Sequence, residues 1–142
     1  MPSNLYLVFG GPPAGVSPEE FDRWYHHHVR ENIVVAGFQA GQRFAVEQTM
    51  TGQRVSPGRF ESDESSRSAP PAYSHMAAYE YEGRTIDELR TDLFAGIESG
   101  ETVLPPWFDQ VKWMTWNCRA VDDRVLPVRP ADSTATTALP SP

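Results

Sequence analysis

The chain has one cysteine, Cys118, among 142 residues. A lone thiol excludes an intramolecular disulfide and supports no cysteine-based metal site. A basic stripe is missing too. The net charge is −7 and the pI near 5.0, so little is available to neutralise the phosphates of a nucleic acid. The same balance disfavours an anionic membrane surface. No apolar run approaches the length of a membrane span. The apolar stretch near the start covers only Leu5 to Phe9 and lacks the basic lead and the length of a signal peptide. A soluble, cytoplasmic protein is therefore expected.

Several catalytic signatures are also absent. Phe9-Gly10-Gly11-Pro12-Pro13 is a turn, because prolines remove the amide donors that a phosphate would need. No serine nucleophile elbow is present, and Cys118 has no neighbouring base in the sequence. His26, His27 and His28 are adjacent, whereas a metal pair on a helix needs i, i+4 spacing, so no metal site is expected.

Those histidines are nevertheless informative. Adjacent helical residues point about 100° apart, so only one of the three can share an apolar stripe. Phe21, Trp24, Tyr25 and His28 recur at the i, i+3, i+4, i+7 spacing of a core-facing helix, which leaves His26 and His27 toward solvent. His28 is thus an imidazole carried into an aromatic interior. Ser17-Pro18-Glu19-Glu20 signals the start of this helix, and about Asn32 its end, with a turn at Gly37.

The remaining elements follow from period and punctuation. Leu5–Phe9 reads as a buried first strand and Phe38–Gln48 as a second. The segment 49–72 has no apolar periodicity and is either a functional lid or a disordered insertion. Tyr73–Glu82 reads as a strand with His75, Ala77, Tyr79 and Tyr81 on one face. Thr85-Ile86-Asp87-Glu88 opens a second helix, whose apolar face carries Ile86, Leu89, Leu93, Phe94 and Ile97 and which stops at Gly100. Pro105-Pro106 breaks the chain before a last strand, roughly Phe108 to Val121. One domain is expected over residues 1–123, followed by a disordered Pro/Ala/Ser/Thr-rich tail over 124–142.

The order β-α-β, long loop, β-α-β predicts an α+β fold of the ferredoxin-like βαββαβ type, with a four-stranded antiparallel sheet and both helices on one face. Apolar residues on both faces of the strands (Leu5 and Tyr6, Ala77 and Ala78, Trp113 and Met114) call for cover on the second face. A homodimer closing two sheets into a barrel supplies it.

Three features carry a family resemblance: Phe21-x-x-Trp24-x-x-x-His28, Gly37-Phe38 leading into Gln42-Arg43-Phe44, and the two symmetric β-α-β halves. Over roughly Leu5 to Asn117 the chain resembles the EthD-like proteins of the dimeric α+β barrel superfamily. Tyr73-Ser74-His75-Met76 also resembles the Tyr-Thr-His segment of plant polyketide cyclases with that fold. The resemblance implies a small cofactor-independent enzyme performing lyase, isomerase, cyclase or decarboxylase chemistry on an apolar aromatic or polyketide-like molecule. The same superfamily leaves other readings open: a cofactor-free monooxygenase, a haem protein with His28 or His75 as axial ligand, or a non-catalytic accessory protein of a degradation pathway.

The residue types fit acid/base work. An imidazole titrates near neutrality and passes protons either way. His28 and His75 are expected to face each other as acid and base, with Tyr25 and Tyr79 as donors. Tyr6, Phe21, Trp24, Tyr81 and Trp113 are candidate contacts for an apolar ligand. Arg43 is placed to anchor a carboxylate unless it pairs with Glu47 or Glu80. Asn117 alternates with Trp113 and Thr115 on the last strand and is expected to orient a ligand or His75.

Overall fold

The computed structural model describes residues 3–63 and 70–128. Its elements are β1 (Asn4–Gly10), α1 (Pro18–Ala36), β2 (Ala40–Ala45), β3 (Thr51–Ser56), β4 (Arg59–Asp63), β5 (His75–Tyr81), α2 (Ile86–Ser99), a 3-10 turn (Pro106–Gln110) and β6 (Met114–Cys118). Local chemistry sets most of the boundaries. Ser17 Oγ accepts from the Glu20 amide at 3.1 Å, and Pro18 occupies the first turn of α1. The helix runs past Asn32 to Ala36. Its stop is Gly37, whose φ of 77° lets its amide close on the Ile33 carbonyl. Thr85 and Glu88 form a reciprocal capping box at the start of α2.

The fold is α+β, with two helices, a four-stranded antiparallel sheet in the order β2-β5-β1-β6, and a separate hairpin, β3-β4. Pleating divides the sheet into two faces. One carries the cross-strand rows Gly41·Tyr79·Tyr6·Asn117 and Arg43·Ala77·Val8·Thr115. Both helices lie on it. Phe21, Tyr25 and Val29 of α1 and Leu89 and Leu93 of α2 share one buried core with Tyr6, Ala77 and Tyr79. The other face carries Phe44·Met76·Phe9·Met114, Gln42·Ala78·Leu7·Trp116 and Ala40·Glu80·Leu5·Cys118. No described element covers it, and Trp116 is 55% exposed there.

Two close approaches fix the helices. A Cβ on Gly41 would lie 3.0 Å from Ile33 Cδ1 and 3.2 Å from both Val29 Cγ1 and Tyr79 Cδ1, so α1 sits directly on this part of the sheet. A Cβ on Gly96 would fall onto Val35 Cγ1, where α2 meets α1.

Three expectations are corrected. The second strand is shorter than Phe38–Gln48, although Phe38 remains buried and stacks on Tyr79 with ring centroids 4.7 Å apart. The last strand does not begin at Phe108, because Pro106 starts a 3-10 turn that places Phe108 and Asp109 ahead of the strand. The 49–72 insertion is structured over Thr51–Asp63 as a hairpin, reversed at Pro57-Gly58, where Gly58 has φ 74°. Every residue of its two strands is exposed, so no apolar period could reveal it. Residues 64–69 of the insertion and 129–142 of the expected tail lie outside the described residues. Residues 124–128 are exposed and without regular structure.

Gly96→Val should lower stability by about 1–3 kcal/mol through overpacking against Val35. A urea midpoint equal to that of the wild type would show that the two helices tolerate a wider crossing.

Candidate functional site

A cavity of about 190 Å³ lies between the helices and the sheet. Helix α1 lines it with Phe21, Trp24, Tyr25, His28 and Asn32, and the sheet with Tyr6, Val8 and Tyr79. Helix α2 adds Arg90, Leu93, Phe94 and Ile97. The chain before β6 closes one side with Leu104, Phe108, Val111 and Trp113. The walls are largely apolar, with a few polar groups in fixed positions, as is usual for a small-molecule site.

Those polar groups form a chain. Asn32 Nδ2 donates to Tyr79 Oη at 3.0 Å and lies 3.2 Å from His28 Nε2. The amide group has one hydrogen for each partner. In this orientation Nε2 holds the imidazole lone pair and Nδ1 carries the proton. Nδ1 is buried with no hydrogen-bond partner, and Glu31 Oε1 is 3.7 Å away. The Tyr79 oxygen accepts from Asn32, which leaves its own hydrogen available. Trp24 stacks on the His28 ring at 4.6 Å, and Tyr25 meets that ring edge-on at 5.8 Å. Burial in this aromatic setting lowers the His28 pKa, against an opposing pull from Glu31. Burial therefore favours the uncharged ring. Burial also raises the Tyr25, Tyr79 and Tyr6 phenols, so all three keep their protons.

The structure brings His28, Tyr79, Tyr25, Tyr6, Phe21, Trp24 and Trp113 to this cavity. It does not bring His75. That ring lies against Phe21, with centroids 4.9 Å apart, and its Nδ1 is 2.8 Å from Ser74 Oγ. Face parity put His75 on the helix side of the sheet correctly, but it stands at the end of β5 and is not among the residues lining the cavity. The expected His28–His75 pair is therefore corrected.

Three further candidates also lie elsewhere. Arg43 pairs with neither Glu47 nor Glu80. It binds Asp22 Oδ1 at 2.6 Å and sits 5.1 Å over the Tyr25 ring, bracing that wall from outside the cavity. Tyr81 is core packing next to Phe38. Asn117 is exposed on the edge strand β6. The 49–72 segment contributes no residue to the cavity lining, so the lid expectation has no support among the described residues.

Asn32 and Arg90 were missed by sequence reasoning. Asn32 stands four residues after His28 and was treated as the helix end. Arg90 stands on the same helix stripe as Ile86, Leu93 and Ile97, a position that apolar periodicity alone does not mark. No cluster of metal-ligating side chains occurs among the described residues, and no helix there is long and apolar enough to cross a membrane. No protein family matches the chain, and no curated protein is similar enough to guide the reading.

The buried imidazole makes stability depend on pH. The unfolded chain protonates His28 near 6.5, and the folded chain only at lower pH. Stability is thus full above 6.5 and falls as pH drops through the folded value. His75 titrates in the same sense. His28→Phe should therefore show a shallower loss of urea midpoint between about pH 7.5 and 5 than the wild type. An identical slope would mean that His28 is solvated.

Proposed function

We propose that the protein is a cofactor-independent acid/base enzyme acting on a small apolar aromatic ketone or polyketide-like molecule, of lyase, isomerase, cyclase or decarboxylase type. The observation that carries this reading is the His28–Asn32–Tyr79 chain, which lines an apolar cavity and leaves the Tyr79 hydroxyl hydrogen free of Asn32. A substrate carbonyl oxygen takes the Tyr79 hydroxyl hydrogen, and that contact strengthens as the oxygen gains charge. The neutral imidazole moves the proton. Its Nε2 lone pair faces Asn32 at 3.2 Å, a contact it exchanges for an acidic C–H or O–H. Asn32 orients both partners. Aromatic walls exclude water and keep competing hydration away from the oxyanion.

The strand order β2-β5-β1-β6, with both helices on one face, supports the ferredoxin-like reading, and with it the resemblance to the EthD-like dimeric α+β barrels. The bare apolar face, with Leu7, Phe9, Met76 and Trp116, supports a homodimer closed sheet to sheet. A charge at its centre, Leu7→Glu, should yield a monomer in sedimentation velocity. A variant that sediments like the wild type would remove the dimer from this reading.

Enzyme-catalysed exchange of the methyl hydrogens of acetophenone into D2O, followed by proton NMR, tests the chemistry without knowledge of the natural substrate. The wild type should accelerate exchange, and His28→Ala should lose about 10²-fold or more. Tyr79→Phe should lose roughly 10-fold to 10²-fold, and His75→Ala should retain the wild-type rate. Equal rates for wild type and His28→Ala would exclude the mechanism. Tight aromatic binding without exchange would favour the binding-protein reading.

A further inference from the structure

The proton chain uses the α1 wall of the cavity and the sheet behind it, but not the α2 wall. On that wall Arg90, Leu93, Phe94 and Ile97 border the cavity at i, i+3, i+4, i+7 spacing, with Leu93 buried and Phe94, 53% exposed, at the rim. Three members are apolar and the first is a guanidinium. Among the described lining residues, Arg90 alone carries a fixed positive charge.

Little in the fold uses that charge. Among the described residues the one ion-pair partner of Arg90 is Asp87 Oδ1 at 3.1 Å, on a carboxylate that is 86% exposed. A guanidinium offers five N–H donors in a rigid fork, and Asp87 takes one. The Arg90 side chain is only 33% exposed, so its field is incompletely screened by water. That field reaches the sheet: it opposes the effect of burial on the phenols of Tyr6 and Tyr81. An arginine that only laid its stem along an apolar wall and turned its head to solvent would have no preference for what lies beside it.

We propose that Arg90 is the anion anchor of the cavity and that the ligand is a small aryl carboxylate. Its ring lies among Trp24, Leu93 and Phe108, and its carboxylate is held by the Arg90 fork. This rests on the reading of the cavity as a ligand site and narrows the substrate to an aromatic carbonyl compound that also carries a carboxylate, for which a simple aryl acid serves as probe. The size is consistent. An engineered cavity of about 150 Å³ holds one benzene, so the volume of about 190 Å³ suits one ring with a short acidic chain. A carboxylate pairs with guanidinium in a planar, two-point contact, whereas a neutral amide of the same shape does not.

The test is calorimetric titration of the full chain with trans-cinnamate and with its neutral isostere, cinnamamide. The wild type should bind cinnamate about tenfold or more tightly than cinnamamide, as one charge-assisted contact predicts. Arg90→Gln should reduce cinnamate to the affinity of cinnamamide and leave cinnamamide unchanged. Arg90→Lys should retain part of the preference, and Asp87→Asn, which frees the fork, should retain all of it. Equal binding of the two probes by the wild type would overturn the anchor and leave the acid/base reading standing, as would a preference that survives Arg90→Gln. If neither probe binds, the anchor is overturned, and the acid/base reading stands or falls on the acetophenone exchange alone.

Discussion

Helix α1 lies against the sheet at Gly41, and the geometry of the cavity follows from that contact. Gly41 pairs with Tyr79 across the ladder, and Val29 and Ile33 of α1 occupy the space where its side chain would be. Asn32 belongs to the same turn, so the helix is close enough for its amide to reach Tyr79 Oη at 3.0 Å. A side chain at position 41 would press on Ile33, Val29 and the Tyr79 ring, so these neighbours, and with them that bond, would have to shift by a few tenths of an ångström. The His28 contact, made by the same amide, would then change with it. The proton chain is thus set by backbone approach as much as by the residues that form it.

Much of this was legible in the sequence. The Phe21–Trp24–Tyr25–His28 stripe named the buried imidazole because helical period alone decides which of three adjacent histidines faces inward. Strand parity assigned Tyr79 to the same side. Parity does not, however, give position along a strand, and so it could not separate Tyr79, beside the cavity, from His75, behind Phe21. Asn32 was hidden by a helix end placed too early, at a run of β-branched residues that α1 continues through. Arg90 is a charged residue on an otherwise apolar stripe, and a pattern built from apolar residues carries no signal for it. The hairpin carried a Pro57-Gly58 turn signal, but it buries nothing, and a search for apolar period passes over such an element.

The two faces of the sheet divide the work. Tyr6, Val8 and Tyr79 look toward the helices and form the cavity floor, while Leu7, Ala78 and Trp116 look away and leave an apolar surface. Neighbouring residues of one strand therefore serve different ends. A substitution at Leu7 or Ala78 changes the outer surface without a new atom in the cavity, and one at Tyr6 or Tyr79 does the reverse. The separation follows from pleating alone.

The Val46 amide donates to the Ser74 carbonyl at 2.8 Å, at the point where the chain leaves the sheet and returns to it. That bond closes the whole intervening excursion at its base, just beyond the last β2–β5 pair, Ala45 and His75. Of the described residues beyond that bond, Tyr73 still touches the sheet, with its ring 6.3 Å from Phe9, whereas the hairpin Thr51–Asp63 gives no residue to the cavity lining. Closing a longer loop costs only about 0.6 kcal/mol for each doubling of its length. The length of the connection is therefore a weak constraint on the fold, and the exposed hairpin reversed at Pro57-Gly58 is the part of it where an added peptide would disturb the sheet register least.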